Sequence, residues 1–177
     1  MNRSDSDDRT SALRKAMYET LERSFRESPD PVYRLRTPWL TPCTLAEHHT
    51  VDGNLQSLTL AYGTWDTDQP HIRVTTWRDL PGQDFSPDEL AEPEEPDAPR
   101  SAATEQVTAD IAGTPQPGTL RRHPSGRWFL RADLGAHHLL ASGRGPIGDL
   151  SFDPLTDLQE AVDARRAYLA SRFPDAP

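Results

Sequence analysis

The stretch 44-TLAEHHTVDGNLQSLTLAY-62 reads as two strands joined by a tight turn, and it sets the fold class. Asp52-Gly53 supplies the positive φ angles of a two-residue type I′ turn, so residues 44–51 and 54–62 form a hairpin. On the returning strand Leu58, Leu60 and Tyr62 share one face while Ser57 and Thr59 share the other, the alternation of a half-buried strand. After a turn over 63–70, residues 71–78 set Ile72 and Val74 against His71, Arg73 and Thr75, which makes a third antiparallel strand.

The second half repeats the pattern. Residues 118–123 meet a Pro124-Ser125-Gly126 turn, 127–133 return with Trp128, Leu130 and Ala132 on one face, and 136–142 add a third strand. Between the two groups, Val107 and Ile111 lie four apart, which suggests a short helix over 101–112 before the Gly113–Gly118 break.

Helices are expected at both ends. From Thr10 or Ser11 as N-cap, Leu13, Met17, Leu21 and Phe25 recur every four residues, with Tyr18 beside them, until Ser28-Pro29-Asp30-Pro31 ends the helix. Near the C-terminus Asp153 reads as an N-cap with Pro154 at the first helical position, and Thr156-x-x-Gln159 offers a capping box one turn later. Leu155, Leu158, Val162, Leu169 and Phe173 trace the apolar stripe. The expected fold is therefore α+β: an antiparallel sheet of about six strands, two three-stranded meanders, with N- and C-terminal helices packed on it. Residues 1–9 read as a flexible tail, and 10–177 as one domain with an acidic, Pro-rich excursion at 79–100.

Charge is unevenly placed. The net charge is −9, and Asp84, Asp88, Glu89, Glu92, Glu94, Glu95 and Asp97 carry seven of those charges, which leaves −2 elsewhere. That balance disfavours nucleic acid as a partner. Of 19 basic residues only Lys15 is lysine, a bias that GC-rich codons produce and that points to a high-GC bacterial genome. The first ten residues are polar and charged, no apolar run is long enough to span a membrane, and the lone Cys43 has no internal disulfide partner. These features point to a cytoplasmic setting.

Catalytic and cofactor motifs fail on context. Gly143-Arg144-Gly145-Pro146-Ile147-Gly148 satisfies G-x-G-x-x-G after a strand, but a dinucleotide site needs an immediate helix and then a second parallel strand, for which no sequence remains. Cys43, His48, His49, Asp52 and His71 have the chemistry of zinc ligands, yet adjacent histidines on a strand point to opposite faces. The same objection holds for His137-His138. No G-x-S-x-G elbow is present, and Ser125 sits in a turn. The reading assigns no catalytic residue, no metal and no cofactor.

The best surface feature is the arginine-rich hairpin. Alternation places Arg127, Phe129 and Arg131 on one face and Trp128 and Leu130 on the other, with Arg121 and Arg122 on the neighbouring strand. Trp77 falls opposite Ile72 and Val74, beside Arg73, where an aromatic suits an interface; Trp39 and Trp65 also fall off the core pattern. The partner-binding candidates are thus Trp77, Arg73, Trp128, Arg122, Arg127 and Arg131, in a non-enzymatic module that binds another protein as an adaptor, regulator or immunity-type partner. A homo-oligomer is compatible with this reading. In a variant of it, the acidic stretch 84–97 folds back on the arginines until a partner displaces it. The rival is a small-molecule site or enzyme pocket drawn from Tyr62, His71, Trp77, His137 and Arg131.

Overall fold

Asp52 and Gly53 adopt φ angles of 51° and 80°, so the two-residue turn forms where the Asp-Gly pair allows it. In a computed structural model, which describes residues 3–37, 40, 43–63, 69–79 and 103–172, this hairpin sits at one end of a single sheet. The elements are α1 (Arg3–Glu27), β1 (Tyr33–Leu35), β2 (Cys43–Val51), β3 (Asn54–Gly63), β4 (His71–Arg78), β5 (Ala103–Ile111), β6 (Thr114–Arg122), β7 (Arg127–Asp133), β8 (His137–Arg144), β9 (Ser151–Pro154) and α2 (Gln159–Arg172). Residues 80–100 of the acidic excursion lie outside the described residues, as do Trp39, Trp65 and Phe173.

The α+β class holds, but the expected six strands in two three-stranded meanders are replaced by nine strands in one curled half-barrel. Their spatial order is β1-β9-β5-β6-β7-β8-β4-β3-β2. The two groups of strands fuse because β4 and β8 pair antiparallel from His71↔Arg144 to Arg78↔His137. The sheet is also mixed, since β5 and β9 run parallel through Asp110↔Ser151 and Ile111↔Phe152.

Three segments differ from the expected elements for local reasons. The helix expected over 101–112 is strand β5; Val107 and Ile111 also match a strand, where residues four apart share a face. A second positive-φ turn, Ala112 at 53° and Gly113 at 79°, joins β5 to β6, so the Gly113–Gly118 break is largely strand. Pro115 and Pro117 fit there because they face Asp110 and Thr108 at positions where the missing N–H would point away from β5. At that level β7 is absent, its pairing with β6 beginning at Thr119↔Arg131.

At the C-terminal end, Asp153 and Pro154 belong to β9 and not to a helix start. Phe152, fully buried, draws that segment into the sheet. Helix α2 begins at Gln159, whose N–H donates to Asp157 Oδ1 over 2.8 Å. Helix α1 starts at Arg3, ahead of Thr10 and Ser11.

The core lies on the concave, inner face, where Leu58, Leu60, Ile72, Val74, Leu130 and Phe152 are at most 1 % exposed. Leu21 of α1, Ala161 and Val162 of α2, and Tyr33 and Leu35 of β1 join this same core. Both helices therefore cover the inner face. At the β2 edge, register shifts flank the Leu45–Glu47 and His49–Thr50 steps. The Arg165 guanidinium donates to the Leu45 and Ala46 carbonyls there, which ties α2 to the bulge. Ser24 Oγ donates to Gly53 O over 2.6 Å, and Arg166 lies 5.0 Å over the Tyr18 ring, so both helices are pinned.

Candidate functional site

Strand register assembles the outer, convex face in rows. One row runs His49, Ser57, Trp77, His138 and Asp133; the next runs Glu47, Thr59, Thr75, Leu140, Arg131 and Thr119. A third crosses Ala61, Arg73, Ser142, Phe129 and Arg121, and a fourth holds Gly63, His71, Arg144 and Arg127. Five arginines (73, 121, 127, 131 and 144) thus share one face with an apolar island of Trp77, Leu140 and Phe129.

The polar centre of this face is His138. Its ring stacks on Trp77 at 4.7 Å and 18°. Nδ1 lies 2.6 Å from Asp133 Oδ1 and Nε2 lies 2.7 Å from Asp79 Oδ2. Ionised carboxylates only accept, so both bonds coexist when the ring carries two protons. Arg131 Nε adds a contact of 3.0 Å to Asp133. Burial pushes the Asp133 carboxyl up, but hydrogen bonds from His138 and Arg131 outweigh it and hold the group below the usual carboxylate range.

His137 lies on the inner face, as alternation requires. It stacks on Tyr33 at 5.9 Å, with Nε2 3.3 Å from the phenol oxygen and Nδ1 3.5 Å from Asp30 Oδ1. Arg78 Nε stands 3.0 Å from the other oxygen of Asp30. Burial lowers the affinity of His137 for a proton, and the charges of His138 and Arg78 add to that against the pull of Asp30. His48 and His49 divide in the same way: His48 pairs with Leu58 toward the core, and His49 with Ser57 on the outer face.

The six partner-binding candidates separate by face. Trp77, Arg73, Arg127 and Arg131 come together on the outer side, with Trp77 only 1 % exposed. Trp128 and its cross-strand partner Arg122 lie on the other parity; Trp128 is in the core, and Arg122 Nη2 reaches Glu105 over 2.8 Å. Sequence reasoning missed His138, Leu140 and Arg144 as members of the face because β4–β8 pairing, which no local pattern encodes, brings them beside Trp77 and Arg73. The rival pocket residues do not converge: Tyr62 and His137 face inward, while His71, Trp77 and Arg131 face outward.

The glycine-rich match has a structural cause. A Cβ on Gly143 would stand 2.5 Å from His71 O and 2.8 Å from the Trp128 ring, so the indole covers this position. Gly145 sits at φ 103°, and the chain continues into β9, not into a helix. Cys43 is half-buried beside Tyr62; burial pushes its thiol up, and the Tyr62 hydrogen bond only partly offsets this. Among the described residues no group of three His, Cys, Asp or Glu side chains is placed to hold a metal ion. At His138 the two carboxylates lie on opposite ring nitrogens and do not converge. No described helix is long and apolar enough to cross a membrane. Compared with known protein families, curated proteins and solved structures, the chain matches none of them.

Proposed function

We propose that the chain is a non-enzymatic protein-binding module whose outer sheet face takes an acidic segment of its partner. One observation carries this reading: register gathers Arg73, Arg121, Arg127, Arg131 and Arg144 on the face opposite both helices. Guanidinium groups spaced along a rigid sheet suit carboxylates, which they bind by paired hydrogen bonds. The state of the histidines supports a binding role over catalysis. Both ring nitrogens of His138 are engaged by carboxylates, which leaves neither for a substrate proton. The setting proposed is cytoplasmic, where the half-buried Cys43 stays a thiol.

The test is affinity capture with the tagged full chain at low and moderate salt, beside an Arg73→Glu/Arg127→Glu variant. A stoichiometric protein held through an acidic segment, weakened by salt and lost in the variant, is the expected result. Capture that is indifferent to both salt and charge reversal refutes the reading.

A further inference from the structure

The strands at both ends of the sheet are guarded. At one end the N–H groups of Tyr33 and Leu35 in β1 donate to the hydroxyls of Thr76 and Tyr62. At the other, β2 is bent by register shifts, and the Arg165 guanidinium takes the Leu45 and Ala46 carbonyls. A third edge opens inside the sheet, because β9 is too short to cover β5. β5 pairs with β6 from Ala103↔Arg122 to Ile111↔Thr114 without a register shift, but with β9 only at Asp110 and Ile111.

Alternation fixes which groups this edge presents. Asp110 N–H donates to Leu150 O over 3.0 Å and Ala112 N–H to Phe152 O over 2.8 Å, so the even-numbered residues of β5 turn their backbone toward the β9 side. Thr104, Gln106 and Thr108 therefore aim N–H and C=O away from β6, and among the described residues no backbone group pairs with them there. Ala103, Thr104, Glu105, Gln106 and Thr108 are exposed. The stretch 103-ATEQVT-108 has no Pro, Lys or bulge, the devices that guard an edge.

The charge beside this edge is positive on its outer side. Thr104 pairs with Arg121 and Gln106 with Thr119, both in the rows of the outer face. Glu105, the one carboxylate in 103–108, has the opposite parity and is held by Arg122 Nη2 over 2.8 Å.

We propose that the partner's acidic segment joins the sheet here as an added strand, in the lane beside β5 that β9 does not reach. Its main chain pairs with Thr104, Gln106 and Thr108, and carboxylates at its alternate, outer-side positions reach Arg121 across two strand spacings, about 10 Å. A second copy fits less well, since the outer-side residues of its own β5 over this stretch are Thr104, Gln106 and Thr108, which bring no carboxylate to Arg121. The open edge stands on pairing and exposure; the acidity of its occupant rests on the binding reading above.

The experiment adds a strand-length peptide that alternates Glu and Thr to the full chain at low salt, followed by amide nuclear magnetic resonance and hydrogen exchange. The amides of Thr104, Gln106 and Thr108 should shift and become protected on binding, whereas those of Glu105 and Val107, turned toward β6, should be protected throughout. Gln106→Pro removes one outward donor and obstructs the lane while sparing the bonds to β6, as Pro115 and Pro117 do on the far side of that hairpin. It should weaken binding about tenfold. N-methylation of alternate amides in the peptide should do the same, and this arm holds even where the proline variant does not fold. Arg121→Glu should also weaken binding. Peptide binding that is indifferent to both Gln106→Pro and N-methylation but lost in Arg73→Glu/Arg127→Glu refutes the added strand and leaves the binding reading standing. No binding of the peptide refutes the added strand, and the affinity capture described above then decides the binding reading separately. Dimerisation in sedimentation that Gln106→Pro abolishes assigns the edge to a second copy and overturns the acidic occupant.

Discussion

Leu35 donates its backbone N–H to the phenol oxygen of Tyr62 over 3.0 Å, joining the first strand of the sheet to one seven places along it. Two residues earlier Tyr33 N–H donates to Thr76 Oγ1 over 2.9 Å. β1 thus satisfies one edge against β9 and the other against side-chain hydroxyls of β3 and β4. Those two bonds curl the sheet and protect an edge that would otherwise expose unpaired donors.

Tyr62→Phe keeps the ring and removes the acceptor, leaving the Leu35 N–H buried and unpaired. The expected cost is about 1–3 kcal/mol. Urea unfolding measures it, and a change below about 0.5 kcal/mol would mean that the bond does not hold β1 in place.

Gly143 lies directly opposite Trp128 on the neighbouring strand. A methyl group here must push into His71 O, which is backbone and cannot swing aside, as well as into the indole. Gly143→Ala is expected to cost about 1–3 kcal/mol through overpacking. At Gly53 and Gly113 a Cβ would meet nothing within 4 Å, so strain there would come from positive φ alone. A thermal midpoint for Gly143→Ala equal to that of the parent chain contradicts the crowding argument.

His137 is held below its ordinary value of 6.5. Its neutral form is favoured in the fold, so the unfolded chain binds the proton more readily. Stability is retained above pH 6.5 and declines as the pH falls from there through the folded value. His137→Phe, which keeps a ring against Tyr33, should flatten this part of the pH profile in chemical denaturation. An unchanged slope between pH 7 and 5 would place the effect elsewhere.

Arg165 does two things: it caps the Leu45 and Ala46 carbonyls, and its charge adds to burial in lowering the His48 value. Arg165→Met should cost about 1–3 kcal/mol by leaving bulge carbonyls without a donor. It should also raise the His48 titration midpoint followed by nuclear magnetic resonance. A stability loss with no movement of the His48 midpoint would show that the Arg165 charge does not hold the His48 value down.

The outer face was half legible in the sequence. Period-2 alternation alone set Arg127, Phe129 and Arg131 on the face opposite Trp128 and Leu130, and set Trp77 opposite Ile72 and Val74. Which parity would be covered by helices was not legible, because both sides of β4 read as acceptable: Val74 and Trp77 are equally buried, on opposite faces.

Local chemistry by itself determined the hairpins, since a turn such as Asp52-Gly53 and the alternation beside it are short-range properties. It also determined the two terminal helices as elements. Tertiary structure decided what each segment pairs with. Residues 103–111 become a strand because β6 on one side and β9 on the other accept their backbone groups. Residues 151–154 become one because Phe152 is buried between β1 and β5. The fusion of the two meanders through β4 and β8 joins residues 59 to 73 positions apart, beyond the reach of any local signal. That pairing is also what brings Arg73 and Trp77 beside Arg131 and His138, and so builds the face on which the proposed function rests.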